Sequence, residues 1–211
     1  SAGHTITRVD HDNFTFNYND TLDAFLTANC TPGVTTVYVD LDGTLTEYYQ
    51  AVATYATSIG LLDAGGDWYG MNPTIEAAAV NAAPTTYFQN LGKRAEADAL
   101  IDLVIAKNGS WEVLSTALDG TTQATQKDAW VTANFGVIGS GVGRAPAATN
   151  YSNNFDKGPF GGANKILIDD RTTYINQFEA AGGKGFKYYE SGGILRFGGD
   201  RASVGPVTQL A

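Results

Sequence analysis

The chain has 211 residues, of which 13 are Lys or Arg and 22 are Asp or Glu, so its formal net charge is −9 at pH 7. This acidic balance argues against non-specific nucleic-acid binding and against docking on anionic membranes, because both need clustered cationic side chains. One cysteine and two histidines exclude an intrachain disulfide, a thiolate zinc site and most Ser–His or Cys–His catalytic systems. Any catalysis must therefore use carboxylates, lysines, hydroxyls or a hard cation. No stretch of the sequence is long and apolar enough to cross a membrane.

Residues 1–33 are polar and end in a turn sequence, Thr31-Pro32-Gly33. Alternating aromatic residues at 14–18 predict a strand, and residues 20–28 predict a short helix with one apolar face. We interpret residues 1–33 as an N-terminal extension that packs on the main domain.

The next part of the chain predicts a buried strand followed by helices. Residues 35–39 are rich in β-branched side chains and lead directly into Asp40-Leu41-Asp42-Gly43-Thr44. Open α/β sheets place their ligands at such strand ends. Helical periodicity covers 47–59 and, more strongly, 93–107, and residues 63–92 are typical of helices and loops.

Strands and helices also alternate in the second half of the chain. The predicted strands lie at 111–114, 165–168, 185–189 and 194–197. The predicted helices lie at 123–134 and 172–181, and a loop rich in Gly, Ala and Asn covers 136–154. This alternation predicts an α/β fold with a doubly wound, mainly parallel sheet.

Two pairs of aspartates follow two of the predicted strands. Asp40 and Asp42 follow the first strand, and Asp169 and Asp170 follow the strand at 165–168. Because parallel strands end at the same edge of a sheet, the pairs can meet, and a divalent cation would relieve their mutual repulsion. Oxygen ligands without His or Cys favour Mg²⁺. An aspartate after a strand can also simply begin a loop or cap a helix, but two such pairs at one edge favour the metal site.

Four stretches of the sequence resemble the motifs of the haloacid dehalogenase (HAD) superfamily. Asp40-Leu41-Asp42-Gly43-Thr44 after a β-branched strand is similar to the DxDGT motif of its phosphatases. The other three are Val113-Leu114-Ser115, Asp156-Lys157 and Ile166-Leu167-Ile168-Asp169-Asp170-Arg171. The resemblance covers about residues 35–189. It implies a Rossmann-like core domain at 34–211 with a small helical cap inserted after the first strand, at about 45–110.

Within the superfamily, the sequence is most similar to the 5'(3')-deoxyribonucleotidases and their phage-encoded relatives. The resemblance rests on a K-x-x-W-V helix that begins at Lys127, on Asp156-Lys157 and on the L-I-D-D-R sequence that ends at Arg171. The chain departs from that branch at Thr44, where many members carry Val, and in its longer, Gly-rich loop at 136–156.

The resemblance implies catalytic roles for particular side chains. Asp40 would be the nucleophile that forms an aspartyl-phosphate, and Asp42 would protonate the leaving oxygen and later activate water. Ser115 would hydrogen-bond the transferring phosphoryl group, and Lys157 would offset the charge on nucleophile and phosphate. Magnesium would be held by Asp40, the backbone carbonyl of Asp42, Asp169 and Asp170.

Further positions are expected to bind substrate, and some assignments have alternatives. Gly43 and Thr44 would contact the phosphate, and Tyr48 would stack on a nucleobase. Thr116 would also contact the substrate and could replace Ser115, because a shift of one residue reverses the faces of a strand.

Two other lysines compete with the assigned Lys157. We expect Lys127 to lie on the solvent-exposed face of its helix, and Lys165 to open a strand with its ammonium group in solvent.

The sequence thus predicts a magnesium-dependent phosphomonoesterase whose substrates are nucleoside or deoxynucleoside 5'-monophosphates. Another small phosphate ester, such as a sugar phosphate, is the alternative within enzymes. A different class of function is a structural or decorating role in a phage virion or larger assembly. The polar composition, low in charge, favours that role only by association. The expected partner of an enzyme is a small phosphorylated substrate, and the expected partners for assembly are further copies of the chain or a virion. The expected location is the host cytoplasm or the virion.

Overall fold

A computed structural model describes residues 18–62, 73–117 and 121–188. The helices are α1 Tyr18–Asn29, α2 Tyr48–Ser58, α3 Pro73–Ala82, α4 Ala97–Asn108, α5 Thr121–Phe135 and α6 Thr172–Ala180. The strands are β1 Thr36–Val39, β2 Glu112–Thr116, β3 Thr149–Ser152, β4 Lys165–Asp169 and β5 Lys184–Lys187. Short 3₁₀ helices cover Phe88–Asn90 and Gly158–Phe160. Within the described ranges, no helix combines the length and the hydropathy needed to span a bilayer.

The five strands form one parallel sheet in the order β3-β2-β1-β4-β5. The predicted α/β fold with a doubly wound, mainly parallel sheet is confirmed, and the order is that of a Rossmann-like sheet. The order in which strands are added reverses at β1: β2 and β3 lie on one side of it, and β4 and β5 lie on the other. Ligands of such sheets bind in the crevice at this switch point, outside the carboxyl ends of the strands.

Helices cover the two faces of the sheet with separate apolar layers. Alternate strand residues such as Val39 and Ile168 belong to a core that also contains residues of α1, α4 and α5. The intervening residues Tyr38, Leu114 and Leu167 pack against α6 on the opposite face. Burial on both faces explains why the central strands are almost continuously apolar in sequence.

The first described helix, α1, is part of the main core. Leu22 and Leu26 are fully buried in the layer that contains α4. Asp23 forms an ion pair with Lys107 at the end of α4. The predicted helix at 20–28 is therefore present and packs on the main domain, while the predicted strand at 14–18 lies outside the described residues except for Tyr18, which begins α1.

Helices α2 and α3 lie between β1 and β2 in sequence and form a small apolar cluster of their own. The cluster is built mainly from small side chains: Tyr49, Val52, Ala53, Ala56 and Ala79. The Tyr55 hydroxyl donates to the Ala82 carbonyl at 2.7 Å and ties the two helices together. Helix α4, which the expected insertion at 45–110 also included, instead contributes Leu100, Ile101 and Val104 to the main core.

The structure corrects the sequence prediction at two places. The loop predicted at 136–154 contains β3, which pairs with β2; its sequence Thr-Asn-Tyr-Ser is polar because this edge strand is mostly half-buried. The helix predicted at 93–107 begins at Ala97, because Lys93 bridges to Thr46 and the Arg94 amide donates to the Leu45 carbonyl. The strand predicted at 185–189 is found as β5, and the one at 194–197 lies outside the described residues.

Leu167 lies fully buried beneath the carboxyl edge of the sheet, between Tyr38, Tyr174 and Phe178. We expect Leu167→Ala to lower the free energy of unfolding by about 2–5 kcal/mol, because it removes buried methyl groups and leaves a cavity. Val34→Ala, at a position that is 58% exposed just before β1, should change it by less than about 0.5 kcal/mol. Urea unfolding followed by circular dichroism measures both. Equal small changes would contradict the assigned core.

Candidate active site

Three buried aspartates meet at the switch point of the sheet. Asp40 directly follows β1, Asp169 ends β4 and Asp170 comes next, and each is at most 3% exposed. The Asp40 amide donates to the Ile168 carbonyl at 3.0 Å, so the pairing of β1 with β4 continues into the site. One carboxylate oxygen from each aspartate lies within 4.8 Å of the others. Asp40 from the first acid pair and both acids of the second are thus brought to one point, whereas Asp42 does not belong to this cluster.

Lys157 supplies the positive charge within this cluster. Its ammonium group is fully buried and donates to Asp40 Oδ1 at 2.7 Å and to Asp169 Oδ2 at 2.6 Å. It also lies 4.7 Å from the centre of the Tyr174 ring. Burial by itself lowers the pKa of Lys157, but the two carboxylates outweigh burial and hold the pKa above its ordinary value. Lys157 therefore stays charged and links the nucleophile position to the end of β4.

Asp170 is the least compensated acid of the cluster. A hydrogen bond from Tyr49 and the positive charge of Arg171 act on it, and both lower its pKa. Burial, followed by repulsion from Asp169 and Asp40, raises the pKa of Asp170 well above its ordinary value. Burial likewise raises the pKa of Asp169, against the opposing effect of Lys157. Buried carboxylates that repel one another fit a hard divalent cation, which prefers oxygen ligands.

The loop after β1 is held in a tight conformation by its own backbone. The Leu41 carbonyl accepts from the Leu45 amide at 2.9 Å and from the Thr46 amide at 2.8 Å. Gly43 has φ of 89°, and a Cβ there would lie 2.5 Å from Tyr49 Cε2 and 2.6 Å from Asp170 Oδ2. Only glycine therefore fits this position.

Two further side chains lie at this loop, the cationic Arg94 and Thr44. Arg94 is buried and donates to the Gly43 carbonyl at 3.1 Å. Thr44 is 1% exposed, and its hydroxyl makes no hydrogen bond to any described residue. The loop thus presents backbone and one buried hydroxyl beside the acid cluster.

Asp42 lies on the other side of the site and pairs with a different lysine. Asp42 Oδ2 accepts from Lys127 Nζ at 2.5 Å, and its Oδ1 is buried without a partner among the described residues. Burial raises the pKa of Asp42, although Lys127 acts in the opposite direction. A carboxyl with a raised pKa can deliver a proton closer to neutral pH. The backbone carbonyl of Asp42 stays a predicted metal ligand.

Ser115 and Thr116 point to opposite faces of β2, as neighbours in a strand must. Ser115 is fully buried, and its hydroxyl accepts from Lys127 Nζ at 3.1 Å. Thr116 lies on the α6 side, where its hydroxyl is 3.1 Å from Ser152 Oγ and donates to the Tyr174 hydroxyl at 3.4 Å. The structure therefore places the hydroxyl of Ser115, rather than that of Thr116, beside Lys127, the partner of Asp42.

Tyr48 belongs to an aromatic row between the helical insertion and the core. Its ring is stacked on Phe88, with centroids 6.3 Å apart and planes 11° apart, and its hydroxyl donates to Glu76 Oε1 at 3.0 Å. The Lys127 ammonium lies 5.0 Å from the centre of the Phe88 ring. The row therefore leads from α2 to the Asp42–Lys127 pair.

Lys127 is a buried charge at this site that the sequence did not predict. The expectation that it lies on a solvent-exposed helix face is wrong, because it is only 2% exposed. The available signal was helical spacing: Trp130 and Val131, three and four residues later, are buried and share its face. The other alternative, Lys165, opens β4 at the amino end of the strand, away from the acids.

No protein-family model matches the chain, and no curated protein is significantly similar in sequence. Among solved structures, it is similar to a haloacid dehalogenase-like hydrolase from Streptococcus pneumoniae, with 12% identity, a TM-score of 0.45 and coverage of 73% of this chain and 84% of the other. It is also similar to a HAD-superfamily hydrolase of subfamily IA from Geobacter sulfurreducens, with 12% identity, a TM-score of 0.46 and coverage of 75% of this chain and 90% of the other. A third similar structure is a HAD family enzyme from Bacteroides thetaiotaomicron in complex with magnesium and inorganic phosphate. It has 12% identity and a TM-score of 0.44, and the match covers 76% of this chain and 96% of the other. At this identity and these TM-scores, the similarities do not establish membership of the family.

Replacing Asp170 should stabilise the metal-free protein. A folded-state pKa above the unfolded value means that the native state holds more protons than the unfolded state, so stability falls as pH rises above the unfolded pKa of about 3.9. We expect Asp170→Asn, in the presence of EDTA, to raise Tm, and by more at about pH 8 than at about pH 5.

The matched control is Asp102→Asn on the surface. A hydrogen bond from Arg144 lowers the pKa of Asp102, so this variant should give no gain at either pH. Differential scanning calorimetry measures both proteins. A lower Tm for Asp170→Asn at the higher pH would contradict the described electrostatics.

Proposed function

We propose that this protein is a magnesium-dependent phosphomonoesterase of the haloacid dehalogenase type. The observation that carries the proposal is the position of Asp40 at the switch point. It shares Lys157 with Asp169, and a second acid, Asp42, follows two residues later beside Lys127. This arrangement supplies a fixed nucleophile and a separate proton donor in one crevice.

The acid cluster supports a bound magnesium ion. Asp40, Asp169 and Asp170 would hold it together with the Asp42 carbonyl, since their oxygens converge and burial and mutual repulsion raise the pKa of Asp170. When bound, magnesium neutralises phosphoryl oxygens, so that a carboxylate can approach phosphorus.

Asp40 and Asp42 divide the chemistry between them. A carboxylate oxygen of Asp40 forms a bond to phosphorus while the bond from phosphorus to the leaving oxygen breaks, and the Asp42 carboxyl gives that oxygen its proton. In the second half, Asp42 takes a proton from water, which attacks the aspartyl-phosphate, releases inorganic phosphate and restores Asp40. Lys157 holds Asp40 in place through both halves, and Ser115 would donate its hydroxyl to a phosphoryl oxygen.

A nucleoside or deoxynucleoside 5'-monophosphate is the substrate class that we propose. The stacked rings of Tyr48 and Phe88 support it, because they bring flat apolar surface close to Asp42. Gly43, Thr44 and Thr116 would line the phosphate position. A sugar phosphate would use the phosphate position without the aromatic row.

Asp40→Asn should abolish phosphate release, because the amide has almost the same shape but is not nucleophilic. The expected loss is at least about a thousandfold. Release of inorganic phosphate from a panel of phosphate monoesters, with magnesium and with EDTA, measures it. Asp102→Asn serves as the control and should keep full activity. Near-normal turnover by Asp40→Asn would rule out the covalent mechanism, and full activity in EDTA would rule out the metal.

Tyr48→Ala should reduce kcat/KM for a nucleoside 5'-monophosphate by about ten- to a hundredfold, the loss expected when a stacking partner of a base is removed. Turnover of a sugar phosphate should fall much less. Tyr48→Phe keeps the ring but loses the hydrogen bond to Glu76, so it should retain most of the nucleotide activity. Equal losses on both substrates would assign Tyr48 to packing alone.

A further inference from the structure

We propose that Lys127 is a positioning residue that orients both Asp42 and Ser115 for phosphoryl transfer. This inference rests on the proposed function, since it assigns a partner to the proton donor and to the phosphate-binding hydroxyl. The motif resemblance includes Lys127 in its K-x-x-W-V sequence but assigns it no part in the mechanism.

The first support is the complete use of the ammonium group. Lys127 Nζ donates to Asp42 Oδ2 at 2.5 Å, to the Thr116 carbonyl at 2.6 Å and to Ser115 Oγ at 3.1 Å. An ammonium group has three hydrogens, so these acceptors account for all of them. The Phe88 ring lies 5.0 Å from the nitrogen. These three acceptors and the Phe88 ring therefore fix the position of the Lys127 ammonium group.

These contacts decide where the neighbouring groups can point. Because Ser115 Oγ accepts a hydrogen bond from Lys127, its own hydrogen is directed elsewhere and can reach a phosphoryl oxygen. Because Lys127 holds Asp42 Oδ2, the carboxyl cannot rotate freely, and Oδ1 remains to face the leaving oxygen. One side chain thus sets the orientation of the proton donor and of the phosphate-binding hydroxyl.

A lysine with only a packing role would destabilise the fold at this position, because burying its charge costs free energy. Trp130 and Val131 on the same face of α5 are buried in the main core, and an apolar side chain would fill the space without the desolvation of a charge. The neighbouring Gln126 Oε1 accepts from the Phe88 amide at 2.9 Å, so α5 is already anchored to this region without Lys127. The charge is therefore best explained by the groups that it orients.

Comparing substrates with different leaving groups distinguishes a positioning role of Lys127 from a packing role. An aryl phosphate with an acidic phenol leaves with little need for protonation, whereas a nucleoside 5'-monophosphate leaves as an alcohol that requires the proton of Asp42. We expect Lys127→Met to lower kcat/KM for the nucleotide by about ten- to a hundredfold more than for the aryl phosphate. Both values come from the same preparation, so the ratio does not depend on the fraction of folded protein.

Two further variants complete the experiment. The control variant Lys107→Met removes an ion pair with Asp23 at the end of α4. This position is near the amino end of β1, because the neighbouring Asn108 donates to the Thr35 carbonyl. Lys107→Met should therefore leave both kcat/KM values unchanged. Lys127→Gln supplies the ratio if Lys127→Met yields no folded protein. Equal losses on both substrates would overturn the positioning role. A wild-type protein that hydrolyses neither substrate would instead overturn the proposed function.

Discussion

The concentration of negative charge at the switch point is the constraint on which the rest of the site depends. Parallel pairing of β1 with β4 places three carboxylates within reach of one another in a region closed to solvent. Such a group is stable only when cations compensate it. Lys157 compensates Asp40 and Asp169 directly, whereas repulsion from these two acids adds to burial in raising the pKa of Asp170. The same repulsion is what a bound divalent cation would relieve.

A second consequence of the sheet is the separation of the two lysines. Successive residues of a strand face opposite sides, so groups near the ends of β1 and β2 are reached from both layers. Lys157 approaches from the layer of α6 and contacts the acids of the metal cluster. Lys127 approaches from the layer of α5 and contacts Asp42 and Ser115. Asp40 and Asp42 are therefore held by different charges, as the proposed division of roles between a nucleophile and a proton donor requires.

The helical insertion contributes aromatic side chains and the carboxylate of Glu76 to the crevice. Its small side chains let α2 and α3 pack closely around a cluster separate from the main core. Tyr48 and Tyr49 stand at its junction with the core: Tyr48 stacks on Phe88, and Tyr49 lies beside Gly43 and Asp170. In the proposed function, this insertion would contact the leaving group, while the acids at the end of the sheet would contact the phosphate.

The sequence by itself determined the parallel sheet and the acid cluster. The apolar runs of β1 and β4 report burial on both faces, alternation with helices makes the strands parallel, and parallel strands bring Asp40 and Asp169 to one edge. Only the tertiary structure decided β3 and Lys127. A polar edge strand carries no apolar periodicity and is defined by its neighbour β2. Lys127 meets Asp42 across 85 residues of sequence. Local patterns record which side of an element is buried, whereas the partner of a buried charge depends on how distant elements pack.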